Sequence, residues 1–173
     1  MDSNLTIKSA ILQYGTLLGI ISVVFGLMIY FLDMHYTQES SIGIVSFVIL
    51  ISVIVLGQYN YRKENNGFMS LVDALKVGVG IALISSVISL TYQVLLVTVI
   101  DPDTIDKMME ITQNKLIDDN PELPQEQLDQ ILEMQKKFTT PEMMASFGLI
   151  GSLFVGFIIS LISGLILKRN PVE

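Results

Sequence analysis

Residues 143–167, MMASFGLIGSLFVGFIISLISGLIL, contain no charged side chain, and they decide the fold class of this chain. An α-helix needs about 20 apolar residues to cross a hydrocarbon core roughly 30 Å thick. Three further uncharged stretches meet that requirement: residues 9–32, 40–61 and 77–100. The sequence therefore predicts four membrane-spanning helices, over residues 9–32, 42–61, 75–100 and 143–168.

The four stretches are apolar on every side, which separates a membrane bundle from a soluble one. Helices of a soluble four-helix bundle, the competing interpretation, keep a polar outer face. Residues 44–56, IVSFVILISVIVL, have no such face. The chain as a whole is 51% hydrophobic, with a mean hydropathy of +0.59. We predict an all-α integral membrane four-helix bundle in which residues 1–173 form a single domain.

The basic side chains predict the orientation of the bundle, because Lys and Arg near spans are retained on the cytoplasmic side. One end of the predicted bundle carries Lys8, Arg62, Lys63, Lys76, Lys168 and Arg169. At the other end, residues 33–39 have no Lys or Arg, and residues 101–142 have four Lys spread along their length. We predict a multi-pass protein of a bacterial inner (cytoplasmic) membrane with both termini in the cytoplasm.

The long link before the fourth span is acidic and has a helical pattern. It carries eleven acidic and four basic side chains, so its net charge equals the −7 of the whole chain. Asp101-Pro102 is typical of a helix start, with Asp101 as the cap, and Pro124 starts a second helix after the breaker at residues 118–124. The pattern predicts an extracytoplasmic helical hairpin over residues 102–138. Its acidic surface either keeps the segment in water or binds a partner.

Small residues one helical turn apart predict how the spans associate. Lipid is as apolar as leucine, so membrane helices associate by close backbone contact rather than by hydrophobic exclusion. The first span contributes Gly15 and Gly19, and the fourth carries a ladder with a spacing of four: Gly148, Ser152, Gly156, Ser160 and Gly164. These residues either pack within one chain or face a second membrane helix.

No residue pattern announces a chemistry. Ionisable residues inside a span mark function by default, but Asp73, Lys76 and His35 lie only at the ends of the predicted spans. Asp73 and Lys76 are three residues apart and predict an ion pair at the membrane interface. His35 alone does not make a metal site, and the chain has no Cys. We therefore predict no catalytic, cofactor or metal site, and no binding to nucleic acid.

Gln93 is the one strongly polar side chain in the outer half of the third span. Transporters place polar groups within the membrane, so Gln93 is a candidate for lining a path. The alternative is a hydrogen bond between helices.

Three segments together resemble a family of bacterial proteins, mainly from Bacteroidota, known only as domain of unknown function 4199. They are residues 67–78, GFMSLVDALKVG; the turn Asp101-Pro102; and residues 134–138, MQKKF, with Thr140-Pro141 before the last span. The resemblance covers nearly the whole chain and implies a small four-span membrane protein with a long third link. It implies no activity, cofactor or catalytic residue.

These observations favour a non-enzymatic accessory, assembly or interaction subunit of the inner membrane. Besides membrane lipid, its expected partner is a second copy of the chain or another membrane protein, bound through the acidic hairpin. The alternative is a small transporter or channel, motivated by Gln93.

Overall fold

The structure, a computed structural model, describes residues 6–37 and 39–169. Within these ranges it is all-helical, and four helices are long and apolar enough to cross a membrane, which confirms the predicted fold class. The helices are α1 (Ile7–Phe31), α2 (Ser40–Glu64), α3 (Leu71–Leu95, continued by a π-helical turn, Leu96–Ile100), α4 (Thr104–Asp119), α5 (Gln125–Phe138) and α6 (Pro141–Leu167). We call the end of the bundle that carries α4 and α5 the hairpin end, and the opposite end the termini end.

Side chains that cap backbone N–H groups fix where helices begin. The Thr140 side chain accepts a hydrogen bond from the backbone of Met143, and Pro141 occupies the first turn of α6, as its sequence predicts. At the start of α3, the Ser70 hydroxyl accepts from the Asp73 backbone N–H at 3.1 Å, and the Asp73 carboxylate accepts in return from the Ser70 backbone. Asp73 is therefore a capping residue. The ion pairs between described residues all involve Asp101, so the predicted Asp73–Lys76 pair is not formed there.

The centre of the bundle is α3, which packs most extensively against α1 and α6. The ladder of α6 lies along a matching row of small residues on α3, which runs in the opposite direction. A Cβ atom added to Gly164 would lie 2.8 Å from Ala74 Cβ, and one added to Gly156 would collide with Ala82 Cβ. Ser160 occupies the space beside Gly78. The two backbones are therefore in near-direct contact, as association in lipid requires.

The contact between α1 and α3 uses glycines as sockets for isoleucines. A Cβ added to Gly15 would lie 2.7 Å from Ile84 Cβ, and one added to Gly19 would lie 2.7 Å from Ile88 Cδ1. Gly80 receives Ile11 in the reverse direction. Gly15 and Gly19 thus lie in an intrachain interface.

Helix α2 buries residues in this core only along its termini half. Its buried residues are Val53, Ile54, Gly57, Gln58 and Tyr61, and its hairpin half, which is rich in bulky β-branched residues, has none. Gly57 allows the close approach, because a Cβ there would lie 2.5 Å from Ile81 Cδ1. Towards the hairpin end, α2 has no buried residue.

A buried amide holds α2 at this crossing point. Gln58 is fully buried, and its Nε2 donates to the backbone oxygens of Ala74, at 3.0 Å, and Ser160, at 3.4 Å. These bonds join α2 to α3 and α6 inside the membrane. Beyond the helices, Met69 and Arg169 exchange two backbone hydrogen bonds of 3.0 and 2.9 Å, which fasten the chain after α6 to the α2–α3 link.

We predict that Gly156→Leu destabilises the bundle, because its side chain must enter space that Ala82 occupies. Overpacking a close contact costs typically 1–3 kcal/mol. The matched control is Gly151→Leu, five residues earlier in α6, where an added Cβ meets nothing within 4 Å. Thermal unfolding in mild detergent should show a clear loss of Tm for Gly156→Leu only. Equal Tm values for the two variants would contradict this account of the α3–α6 interface.

Candidate functional site

A cluster of polar side chains surrounds Asp101 at the hairpin end. His35 Nε2 lies 3.2 Å from Asp101 Oδ2, and the Tyr36 hydroxyl donates a short hydrogen bond to the same oxygen. Lys107 Nζ donates to the Tyr36 hydroxyl at 2.9 Å and lies 3.6 Å from Asp101 Oδ1. The cluster thus joins three elements: the α1–α2 link, the end of α3 and the first turn of α4.

Asp101 reaches this position through the π-helical turn that ends α3. Its backbone N–H closes that turn on the Leu96 carbonyl at 2.8 Å. The prediction that Asp101 caps the next helix is wrong, because Asp103 is the N-cap residue of α4. Such wide turns interrupt α-helices frequently at functional sites. The Asp101 carboxylate therefore does not cap a helix, and it takes part in the hydrogen bonds of the cluster.

The cluster keeps the Asp101 carboxylate ionised. Hydrogen bonds from Tyr36 and then from His35 lower the pKa of Asp101 from 3.8 to about 2. The hydrogen bond with Asp101 raises the pKa of Tyr36, and the one with Tyr36 raises the pKa of Lys107. Donors in the cluster therefore compensate the negative charge of Asp101.

A cleft of about 390 Å³ lies beside the cluster, among the hairpin halves of α1, α2 and α3. It lies beside the part of α2 that has no buried residue, on the hairpin side of Val53. Its apolar lining includes Phe25, Ile29, Ile42 and Ile49. Its polar lining includes Ser22, Ser46, Ser89, Tyr92, Gln93 and His35. The structure therefore places Gln93 on the wall of this cleft.

Two polar atoms of the cleft lining are buried and have no hydrogen-bond partner among the described residues. They are Nδ1 of His35, whose side chain is only 5% exposed, and the hydroxyl of Tyr92. The serines differ, since Ser22, Ser46 and Ser89 each donate to a carbonyl of their own helix. Gly26 makes room for the Tyr92 ring, because a Cβ there would lie 2.6 Å from Tyr92 Cε1.

Helices α4 and α5 form a hairpin that touches the spans only sparsely. An apolar groove of about 430 Å³ runs between them. We define the hairpin groove by Met108, Met109, Ile131, Met134 and Phe138. Met134 is 62% exposed and Phe138 is 50% exposed. Phe138 also meets Phe147 of α6 edge-on, with 5.8 Å between ring centroids.

Sequence reasoning singled out Gln93 but missed the partners of His35. Asp101 lies 66 residues from His35, so spacing along the chain does not connect them. It also missed Gln58, an amide in an uncharged stretch that gives a local signal of a bond between helices. Among the described residues, no group of three or more His, Cys, Asp or Glu side chains could hold a metal ion.

A family model described as "Protein of unknown function (DUF4199)" matches residues 13–169. No curated protein and no solved structure matches the chain. The description names no activity, ligand or residue role, so the geometry of this chain carries the functional argument.

We predict that Asp101 stabilises the protein at neutral pH and loses this role in acid. A carboxylate with a lowered pKa contributes stability above its ordinary value of 3.8, and this contribution falls as the pH approaches about 2. The Tm difference between the wild type and Asp101→Asn should be largest above about pH 4 and shrink as the pH falls through about 2. Glu122→Gln is the control, with the same charge change in the exposed α4–α5 link. A pH-independent difference for Asp101→Asn would contradict the prediction.

Proposed function

Because the chain belongs to the family described as "Protein of unknown function (DUF4199)", which has no assigned activity, we propose from its own structure that it is a non-enzymatic accessory or interaction subunit of a bacterial inner membrane. The observation that carries the proposal is the hairpin groove. It presents exposed apolar side chains on a segment that has few contacts with the spans. Exposed apolar surface rimmed by polar residues marks interaction sites.

Charge favours a partner different from this chain. Residues 101–142 carry a net charge of −7, so two hairpins brought face to face would repel each other. Acidic helices are repelled from anionic lipid as well. The occupant that fits the groove is an amphipathic helix of another protein, with apolar residues for Met134 and Phe138 and basic residues for the acidic rim. Methionines suit such a surface because they adapt their shape to the partner.

We further propose that both termini are cytoplasmic and the hairpin is extracytoplasmic. The support is the distribution of basic residues, of which six lie at the termini end or in the tails next to it: Lys8, Arg62, Lys63, Lys76, Lys168 and Arg169.

We expect single cysteines to report this orientation without background, because the chain has no Cys. Asn120→Cys, between α4 and α5, should react with a membrane-impermeant maleimide on intact spheroplasts. Asn65→Cys, in the α2–α3 link, should react only after the membrane is permeabilised. The reverse pattern would overturn the orientation, and both variants should react in detergent.

We expect a lysine–leucine amphipathic peptide to bind the full-length protein in zwitterionic nanodiscs, and a glutamate–leucine peptide with the same apolar face not to bind. Met134→Glu should weaken binding at least about tenfold, since burial of a Met side chain contributes about 1.5–3 kcal/mol. Gln130→Glu is the matched control on exposed α5 surface: it adds the same charge outside the groove and should not weaken binding.

Three outcomes would contradict the proposed subunit role. They are equal binding of the two peptides, equal effects of the two variants, and crosslinks from Met134 that join only copies of this chain or lipid.

A small transporter or channel is the second candidate, favoured by the position of Gln93 in the cleft. The cleft occupies only the hairpin half, and the contact between Gly57 and Ile81 would have to open for a solute to pass. Solute flux in proteoliposomes that is lost in Gln93→Leu would favour transport over the subunit role.

A further inference from the structure

We propose that the cleft among α1, α2 and α3 binds a neutral, lipid-soluble molecule with a hydroxyl group, which donates a hydrogen bond to Nδ1 of His35. The site is separate from the hairpin groove and independent of the proposed subunit role. Three features of the cleft carry the inference: its unpartnered polar atoms, its charge balance and its position within the spans.

The hydrogen-bonding state of His35 defines what the ligand must supply. Asp101 is ionised, so its carboxylate oxygen accepts from His35 Nε2–H. In neutral imidazole the other ring nitrogen is then an acceptor. When the His35 imidazole is neutral, Nδ1 is this acceptor, and it is buried without a partner among the described residues. A buried acceptor without a partner is unfavourable, and a ligand O–H would satisfy it.

Charge excludes a cation as the preferred ligand. Tyr36, His35 and Lys107 already surround the Asp101 carboxylate, which leaves no uncompensated negative charge at the cleft. A cation would also have to leave water for a lining that includes Phe25, Ile29 and Ile42. A neutral donor would hydrogen-bond to Nδ1 without that desolvation cost.

Because the cleft lies within the spans, its ligand must be lipid-soluble. Except for the α1–α2 link that carries His35, the lining lies in the spanning helices and the π-helical turn. The volume of about 390 Å³ is within the range of small-molecule sites. The ligand would place its hydroxyl near His35 and Tyr92, at the end of the spans, and its apolar body beside Ile49 on α2. The unpartnered Tyr92 hydroxyl offers a second hydrogen bond.

The single histidine allows a direct test. The full chain, labelled with ¹⁵N-histidine and reconstituted in nanodiscs at mildly alkaline pH, gives one pair of ring nitrogen signals, both from His35. The probe is 4-octylphenol, and its matched control is 4-octylanisole, which replaces only the O–H by O–CH₃. We expect the phenol to shift the Nδ1 signal in a saturable manner and the anisole to leave it in place.

Variants then locate the binding. Ser46→Phe fills the cleft from α2 and should abolish the shift. Ser52→Phe is its control, since both serines are exposed on α2 and bond only to their own helix, but Ser52 does not line the cleft. Tyr92→Phe should weaken phenol binding about fivefold, through loss of one hydrogen bond.

The comparison of the phenol with the anisole on the wild-type protein tests the proposal even if a variant fails to fold. Equal responses to phenol and anisole, or no Nδ1 shift at saturating phenol, would overturn it. Retained binding in a folded Ser46→Phe would overturn the location.

Discussion

Close contact between small residues on α3 and its neighbours α1 and α6 is the constraint on which the rest of this structure depends. In lipid, exposed leucines cost nothing, so a bundle forms only where backbones approach closely enough for dense van der Waals contact. The rows of Gly, Ala and Ser on α3 and α6 provide that approach on one side, and the glycine sockets of α1 and α3 provide it on the other. Helix α2 has one comparable residue at its crossing, Gly57, together with the buried amide of Gln58. Its buried residues all lie in its termini half, and the cleft lies beside its hairpin half.

The cleft and the hairpin at this end of the bundle are both connected to the Asp101 carboxylate. Asp101 receives His35, which lines the cleft, and Lys107, which belongs to α4 of the hairpin. The π-helical turn, the α1–α2 link and the start of α4 are thereby held in one arrangement. The hydrogen bonds that fix this arrangement also determine which nitrogen of His35 is left to accept.

Features with a local cause could be predicted from the sequence. The spans follow from runs of uncharged residues, and the start of α6 follows from Thr140 and Pro141, because length and capping are properties of neighbouring residues. The spacing of four in α6 likewise marks a packing face that the structure sets against α3.

Features that depend on tertiary placement could not be predicted. Asp101 resembled a helix cap, and only the fold brings it to His35 and Tyr36, more than 60 residues away. The cleft is lined by residues of α1, α2 and α3 that are far apart in the chain, so no residue spacing encodes it. Asp73 and Lys76 have the spacing of an ion pair, but the nearby Ser70 hydroxyl and backbone take the carboxylate instead.

The backbone bridge between Met69 and Arg169 has a consequence for biogenesis. Met69 leaves the ribosome 100 residues before Arg169, so the bridge closes only after α6 has been synthesised. Until α6 has inserted, the row of Ala74, Gly78 and Ala82 on α3 lacks its contacts with Gly156, Ser160 and Gly164. The close contact between α3 and α6 is therefore the last contact between spans that can form, and the bridge closes with it.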